Sequence, residues 1–352
     1  MEDEEIIRYT DIINKYAFDP SKQLAITGNF NAADTANLCD IAHSVLIQGL
    51  LRNNEGQVRL ITASNSVVSA MVTKEGYSSF GAGLYKDGSY IAHMTMAYTG
   101  HYGNEALNGI ALFCNILGGT SYDFPKETIE AYYNYVIEAY LPLLYKGKMM
   151  SMVDGRSVAG AYQGKGAELS EGKKIMKRLL MLCQNADENY KNIIQGVIKY
   201  NLEGMVEFYG QSSLDNEISF LKLLDDDSVH SMAYEQGIKI YGAMCRMVQT
   251  TKDYTAGLAL TSSHISSYEV VSNTNLTGFY QGAGALYIYN NDLNQFGVGF
   301  WPTQDPYRLA GVTADTKPLN FQLSSSGQIW PPIVLDNKTA GGASDGNLAA
   351  IA

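Results

Sequence analysis

The 352-residue sequence lacks the residue patterns that mark several common classes of protein. Its four cysteines contain no CxxC pair and its five histidines form no HExxH or similar cluster, so no metal-ligand spacing is visible. We expect Cys39, Cys114, Cys183 and Cys245 to be buried free thiols. No apolar run approaches the length of a membrane span, and the acidic start MEDEEIIRY has no signal-peptide apolar region.

Charge is also scarce, since only 17% of the residues are charged and the formal net charge is −11. No Lys/Arg-rich run occurs, which argues against binding to a nucleic-acid backbone. The composition is compatible with a polyanionic substrate, because a local basic groove can form on an acidic protein. The hydrophobic content of 46%, with 34 Gly and 25 Tyr, predicts a globular chain long enough for two domains and a sizeable core.

Apolar residues at helical spacing predict that the first two-thirds of the chain is helical. Gly118–Gly119 fits a helix C-cap and Pro142 should end or kink a helix. Short connections favour antiparallel helix pairs. The predicted helices are Asp40–Leu51, Gly109–Leu117, Lys126–Leu144, Glu171–Asn185 and Ala186–Tyr200.

From Gly237 onward the pattern changes to short segments rich in Tyr, Val and Ile, separated by Gly, Asn and Asp turns, which predicts antiparallel sheets. An acidic, irregular stretch precedes them. We therefore predict a helical domain over 1–210, a linker over 211–236 and an antiparallel β-sandwich domain over 237–352. The predicted strands are Ile238–Val248, Gly257–Thr261, Tyr268–Val271, Gly284–Tyr289 and Phe296–Trp301.

The most informative segment is DGSYIAHMTMAYTGHYGN, residues 87–104, in which His93 and Tyr102 could supply a base and an acid for proton transfer. It resembles the signature of polysaccharide lyase family 8, whose members cut hyaluronan, chondroitin and xanthan. Further matching segments occur in the family's order, so that the resemblance covers about residues 10–315. These segments are Ala36–Leu51, Asp154–Ser157, Gly237–Arg246 and Ser267–Thr313.

The resemblance implies an α+β multidomain fold: an incomplete α/α toroid of helical hairpins, then an antiparallel β-sandwich, with the chain truncated at both ends. It implies that Asn37 binds the uronate carboxylate and that His93, Tyr102 and Arg156 complete the catalytic set. The substrate-binding candidates are Tyr98, Asn104 and Asn275.

The implied reaction is β-elimination from a uronic acid in an acidic polysaccharide. An amide donor such as Asn37 would stabilise the enolate that forms when the C5 proton leaves. Tyr has an unperturbed pKa of about 10, so a nearby cation such as Arg156 must favour its phenolate. Either Tyr102 removes the proton and later protonates O4, or His93 is the base and Tyr102 the acid. No metal or organic cofactor is needed.

Several positions depart from the family pattern. Its second Arg falls on Gly160, its conserved Glu falls on Thr274, and its Trp-rich motif is absent, since the two Trp are Trp301 and Trp330. An incomplete toroid would expose apolar helix faces, so we expect a partner chain or self-association to cover them. The resemblance also implies an extracellular or particle-associated location. The alternative function is that of a lyase-derived glycan-binding or structural protein with weakened or no catalytic activity.

Overall fold

A computed structural model describes residues 3–25, 27–63, 67–68, 81–160, 167–205, 214–315, 317–319, 322–333, 336–346 and 348–352. A helical region comes first and an antiparallel β region comes second, which confirms the predicted fold class. Numbered in chain order within the described residues, the α-helices are α1 Asp3–Tyr16, α2 Thr35–Leu51, α3 Glu55–Thr62, α4 Tyr102–Leu117, α5 Lys126–Tyr140, α6 Ala167–Leu182, α7 Glu188–Glu203, α8 Leu214–Leu224 and α9 Phe300–Thr303.

The helical periodicity located α2 and α4 to α7, although most of these helices begin earlier than predicted. Asp34 is the N-cap of α2, and its side chain accepts from the amide of Asn37 at 3.4 Å. As predicted, α5 ends before Pro142, which lies in the 3₁₀ turn Leu141–Leu143. All four cysteines are buried and free, as predicted.

Close packing of α2 against α4 depends on Gly109, because a Cβ atom there would lie 2.4 Å from Cβ of Cys39. At the start of α4, the phenol of Tyr90 donates to the carbonyl of Tyr102. The hydroxyl of Thr35 on α2 also hydrogen-bonds the phenol of Tyr90. The start of α4 is therefore fixed by two neighbouring elements.

The described strands, in chain order, are β1 Lys22–Leu24, β2 Phe30–Ala32, β3 Gly83–Leu84, β4 Tyr90–Ala92, β5 Met96–Ala97, β6 Leu144–Tyr145, β7 Lys148–Met149, β8 Gly237–Tyr241, β9 Arg246–Thr250, β10 Thr255–Ala259, β11 Tyr268–Val270, β12 Ala285–Tyr289, β13 Ile329–Ile333, β14 Gly342–Ser344 and β15 Ala349–Ile351. The β region contains a four-stranded antiparallel sheet with the strand order β12-β10-β9-β8. Strands β11 and β13 pair with each other in a separate two-stranded sheet.

Two strand predictions were wrong because left-handed residues interrupt the segments. The stretch Ile238–Val248 forms two strands, β8 and β9, joined by a turn in which Cys245 has φ +52°. The stretch Phe296–Trp301 forms no described strand: Phe296 and Gly299 have φ +56° and +78°, and α9 begins directly afterwards.

The domain boundaries remain a prediction. Residues 211–213 of the predicted linker lie outside the described residues, and α8 occupies part of the stretch 214–236.

Large apolar side chains on α1 and α2, such as Ile7, Ile12 and Leu50, are each close to half exposed. The covering chain expected from the sequence likewise stays a prediction. Among the described helices none is both long and apolar enough to cross a bilayer.

A buried polar cluster joins the helical region to the four-stranded sheet. Glu168 of α6 accepts hydrogen bonds from the amide and hydroxyl of Ser151, at 3.1 and 2.6 Å, and from the phenol of Tyr289 on β12, at 2.6 Å. Its other oxygen lies 3.5 Å from Nζ of Lys148, and both of these charged side chains are buried. The indole of Trp301 donates to the Ser151 hydroxyl at 2.9 Å. The cluster thus fixes the sheet to α6 through fully directed hydrogen bonds.

We predict that Glu168→Ala lowers the free energy of unfolding by about 3–5 kcal/mol, because it leaves the Lys148 ammonium buried without its counter-ion. Urea denaturation measures this loss. The matched control is Glu130→Ala, which removes an exposed pair with Lys126 and should cost no more than about 1 kcal/mol. A loss for Glu168→Ala as small as that of the control would contradict the structural role given to the cluster.

Candidate active site

His93 lies in a strained turn between two short strands. Strands β4 and β5 pair antiparallel, and the chain reverses through His93 and Met94, which have φ +48° and +69°. Left-handed backbone is costly for residues other than Gly and concentrates at functional sites. The turn places the His93 ring 4.4 Å from the Tyr102 ring, centroid to centroid.

Tyr102 is the first residue of α4, and the Tyr98 ring packs edge-on against it at 4.9 Å. The phenol of Tyr90 on β4 donates to the carbonyl of Tyr102 at 3.4 Å. The backbone of Tyr102 is therefore held from β4 while its ring contacts those of His93 and Tyr98. The nine-residue spacing seen in the sequence does bring His93 and Tyr102 together.

Arg156 reaches the same point from the 3₁₀ helix Gly155–Ala159. Its guanidinium donates to the phenol of Tyr98 at 3.0 Å and to the phenol of Tyr102 at 3.4 Å. The preceding Gly155 has φ +53°, and a Cβ there would lie 2.3 Å from Cζ of Tyr98. A glycine is thus required for Arg156 to approach the two phenols.

Glu269 of β11 joins these groups and was missed as a site residue in the sequence. Its Oε2 accepts from Nδ1 of His93 at 2.7 Å, and its Oε1 accepts from Arg156 at 2.8 Å and from the phenol of Tyr98. Glu269 itself is only 1% exposed. The sequence signal for Glu269 was a single carboxylate between two apolar residues of the strand YEV. A buried charge requires partners, so such a carboxylate indicates a polar cluster.

The charges of this cluster are set by their neighbours. Burial works to raise the pKa of Glu269, but the hydrogen bond and charge of His93, together with Arg156, hold that pKa below its ordinary value. Burial works against the charged form of Arg156, yet Tyr98, Glu269 and Tyr102 raise its pKa above the usual range. Burial, followed by the Glu269 charge, raises the pKa of Tyr98 well above that of free tyrosine. The site thus holds an ion pair beside a neutral Tyr98 phenol.

Asn37 lies on the exposed first turn of α2. Its amide Nδ2 donates to Oε1 of Gln23 at 2.9 Å. Among the described residues no hydrogen bond links its side chain to His93, Tyr102 or Arg156. Its role in binding a carboxylate therefore remains a proposal.

The three residues expected to contact substrate are buried. Tyr98 and Asn104 are 0% exposed and Asn275 is 3% exposed. Asn104 donates to Glu171 at 2.7 Å and accepts from Arg178, whereas Asn275 pairs with Gln281 through two hydrogen bonds of 2.9 and 3.1 Å. Each of the three side chains thus bonds to the protein itself, and their direct contact with substrate stays a prediction.

Comparison with known proteins agrees with this geometry. Residues 1–200 match the N terminal alpha-helical domain of polysaccharide lyase family 8, and residues 236–352 match its super-sandwich domain. The chain therefore belongs to polysaccharide lyase family 8, which confirms the resemblance drawn from the sequence.

Individual relatives share modest identity with the chain. It is 32% identical over 357 residues to Hyaluronate lyase HylB of Enterococcus faecalis, which covers 97% of this chain and 34% of that protein. It is 36% identical over 260 residues to Xanthan lyase of Bacillus sp., covering 73% of this chain and 27% of that protein. The chain spans about a third or less of the length of these relatives.

A solved structure similar to this one is the Streptomyces coelicolor A3 chondroitin AC lyase in complex with chondroitin sulphate. The TM-score is 0.79 and the sequence identity is 26%. The match covers 90% of this chain and 43% of that protein. The helical region followed by the β region is therefore an arrangement found in a lyase of this family.

Glu269→Gln tests the electrostatics of the cluster through its pH dependence. Because folding lowers the pKa of Glu269, its stabilising effect is complete above the ordinary Glu pKa of about 4.3 and is lost as the pH falls through the lower folded value. We expect wild type to be more stable than the variant at neutral pH, and this difference to shrink towards about pH 3. Urea denaturation across this range measures it.

The control for this series is Glu188→Gln, which changes an exposed carboxylate that forms an ion pair with Lys191. Its stability difference from wild type should stay small at every pH. A wild-type advantage over Glu269→Gln that stays constant or grows as the pH falls would show that folding does not favour the ionised carboxylate.

Proposed function

We propose that this chain carries the catalytic centre of a polysaccharide lyase that cleaves a uronic-acid-containing glycan, of the hyaluronan, chondroitin or xanthan type, by β-elimination. The observation that supports this most is that Arg156 donates both to the buried carboxylate of Glu269 and to the phenol of Tyr102, while His93 bonds the same carboxylate. The His93 ring also packs against the Tyr102 ring. Proton transfer requires a group that can give and take a proton, and charge stabilisation requires a nearby cation. Tyr102 and Arg156 provide these two functions.

In this proposal Tyr102 is the base. Arg156 donates to its oxygen at 3.4 Å, and that positive charge stabilises a phenolate there. The phenolate removes the proton from C5 of the uronate, and the C–H electron pair forms the double bond between C4 and C5. The C4–O4 bond breaks with its electrons on O4, which takes the proton from Tyr102. The product carries a 4,5-unsaturated uronate.

His93 and Glu269 position the reacting groups. Because the carboxylate of Glu269 is an acceptor, we assign a proton to Nδ1 of His93, which fixes the orientation of the ring. Glu269 also holds Arg156, so the imidazole and the guanidinium are oriented by one anion. Asn37 would exchange its hydrogen bond to Gln23 for one to the uronate carboxylate, where an amide donor stabilises the developing enolate.

The buried residues that we expected on the substrate take positioning roles in this proposal. Tyr98 donates to Glu269 and accepts from Arg156, so it links the anion to the cation. Asn104 anchors the first turn of α4, which carries Tyr102, to α6 through Glu171. Asn275 donates to the carbonyl of Glu269 at 3.4 Å and thereby supports β11.

An acidic polysaccharide is the partner that this chemistry requires. Nothing in the proposed steps uses a metal or an organic cofactor. A polymer of this kind is too large to cross a membrane unaided, which supports the extracellular or particle-associated location proposed for the protein. The choice among hyaluronan, chondroitin and xanthan depends on groove residues beyond the catalytic set.

Tyr102→Phe provides the direct test, because it removes the proton-carrying oxygen and keeps the ring that packs against His93 and Tyr98. We expect kcat to fall at least about 100-fold, with unfolding stability nearly unchanged. Formation of the unsaturated uronate is followed by its ultraviolet absorbance on hyaluronan, chondroitin and xanthan. Tyr190→Phe, on α7, is the matched control and should retain wild-type activity.

Two results would contradict this function. Wild-type activity in Tyr102→Phe would remove Tyr102 from the reaction. Binding of these glycans by the wild-type chain without any unsaturated product would instead favour the alternative, a lyase-derived glycan-binding or structural protein.

A further inference from the structure

A second cleft lies at one end of the four-stranded sheet. Its walls come from the ends of β9, β10 and β12, the β6–β7 turn and the C-terminal part of α7. Its volume is about 180 Å³. None of His93, Tyr102, Arg156 and Glu269 lines it.

Strand β9 runs between the catalytic half of the chain and the cleft. At its start, Arg246 donates to the carbonyl of Met152 at 2.9 Å, four residues before Arg156. At its other end, Thr250 lines the cleft. Because the catalytic residues do not line the cleft, it is described as a site of its own.

The cleft combines aromatic rings with hydrogen-bonding side chains. Tyr145, Tyr200 and Tyr234 line it, and Tyr200 is 44% exposed. Asn291 and Gln236 add amide groups at the same surface. A sugar ring has an apolar face of C–H groups and an edge of hydroxyls, which matches phenol rings flanked by amides. The volume suits a single ring rather than an extended oligosaccharide.

Two lysines make the cleft suitable for an acidic sugar. Lys146 and Lys252 both line it, and among the described lining residues Asp253 contributes the one carboxylate. Nζ of Lys146 lies 5.5 Å from the centroid of the Tyr145 ring and donates to Oδ1 of Asn291 at 2.8 Å. The ammonium is thus held beside an aromatic face, where it can meet a carboxylate or a sulfate on a stacked sugar.

The backbone at Lys146 supports a role for its side chain. Lys146 and Gly147 form a two-residue turn between β6 and β7, with φ +47° and +78°. Such turns favour Asn-Gly, because a long side chain in left-handed backbone is costly. Keeping Lys at this position has a conformational cost that an Asn would avoid, which points to a function for the ammonium.

We propose that this cleft is a second, non-catalytic binding site for an acidic sugar residue of a polysaccharide. It would retain a polymer whose other residues are free to enter the catalytic site. Holding one part of a chain raises the effective concentration of the rest at a neighbouring site without new catalytic contacts. The proposal that the cleft binds an acidic sugar does not depend on catalytic activity at the other site.

Calorimetric titration of the full chain in the Tyr102→Phe background tests the proposal with hexasaccharides of hyaluronan, chondroitin and xanthan type. We expect at least one of them to bind at two sites per chain. Lys146→Asn, which suits the left-handed turn, and Tyr200→Ala, which truncates an exposed ring, should each weaken one site at least about tenfold. Lys15→Asn and Tyr9→Ala, on α1, are the matched controls and should leave both sites intact.

Three results would overturn the proposal: no binding at all, binding that both cleft variants leave unchanged, or equal occupancy of the cleft by neutral cellohexaose. If wild type makes no unsaturated product but the cleft variants abolish a binding site, the proposed lyase function fails while the cleft assignment stands. If the product forms and the cleft variants change no binding, the cleft assignment fails while the proposed lyase function stands.

Discussion

One buried anion organises the candidate active site. The Glu269 carboxylate lies almost entirely out of water, where an unpaired charge would be prohibitively costly, and three donors offset that cost: the imidazole of His93, the guanidinium of Arg156 and the phenol of Tyr98. These donors come from the helical region, whereas Glu269 comes from β11. Satisfying the carboxylate therefore docks the β region onto the turn that carries His93 and fixes the geometry around Tyr102.

A second polar cluster reinforces the same docking at another point. Glu168 on α6 collects hydrogen bonds from Ser151 and from Tyr289 on β12, with Lys148 as its counter-ion. Each cluster joins a carboxylate of one region to at least one donor of the other, Tyr289 in the case of Glu168. Directed bonds of this kind specify one arrangement of the two regions, in a way that apolar contact between them would not. The strained backbone at His93 is retained within this framework.

The sequence predicted much of the helical region and part of the site. Helical periodicity is local, so α2 and α4 to α7 could be read from it, and the spacing of His93 and Tyr102 placed both on neighbouring elements. Glu269 could not be assigned in the same way, because its partners lie 113 to 176 residues away. The wrong strands have a local cause: left-handed residues such as Cys245 and Phe296 break segments whose composition favours strands. Burial depends on the tertiary fold, so the sequence could not show that Tyr98, Asn104 and Asn275 are buried.

The proposed chemistry depends most on the orientation of His93 by the Glu269 carboxylate through Nδ1. Heteronuclear NMR of the imidazole nitrogens measures this directly, with His93 assigned by comparison with a His93→Gln sample. We predict a protonated Nδ1 in a strong hydrogen bond in wild type and the loss of that hydrogen bond in Glu269→Ala. A neutral His93 ring with its proton on Nε2, or a signal that is unchanged in Glu269→Ala, would contradict this orientation.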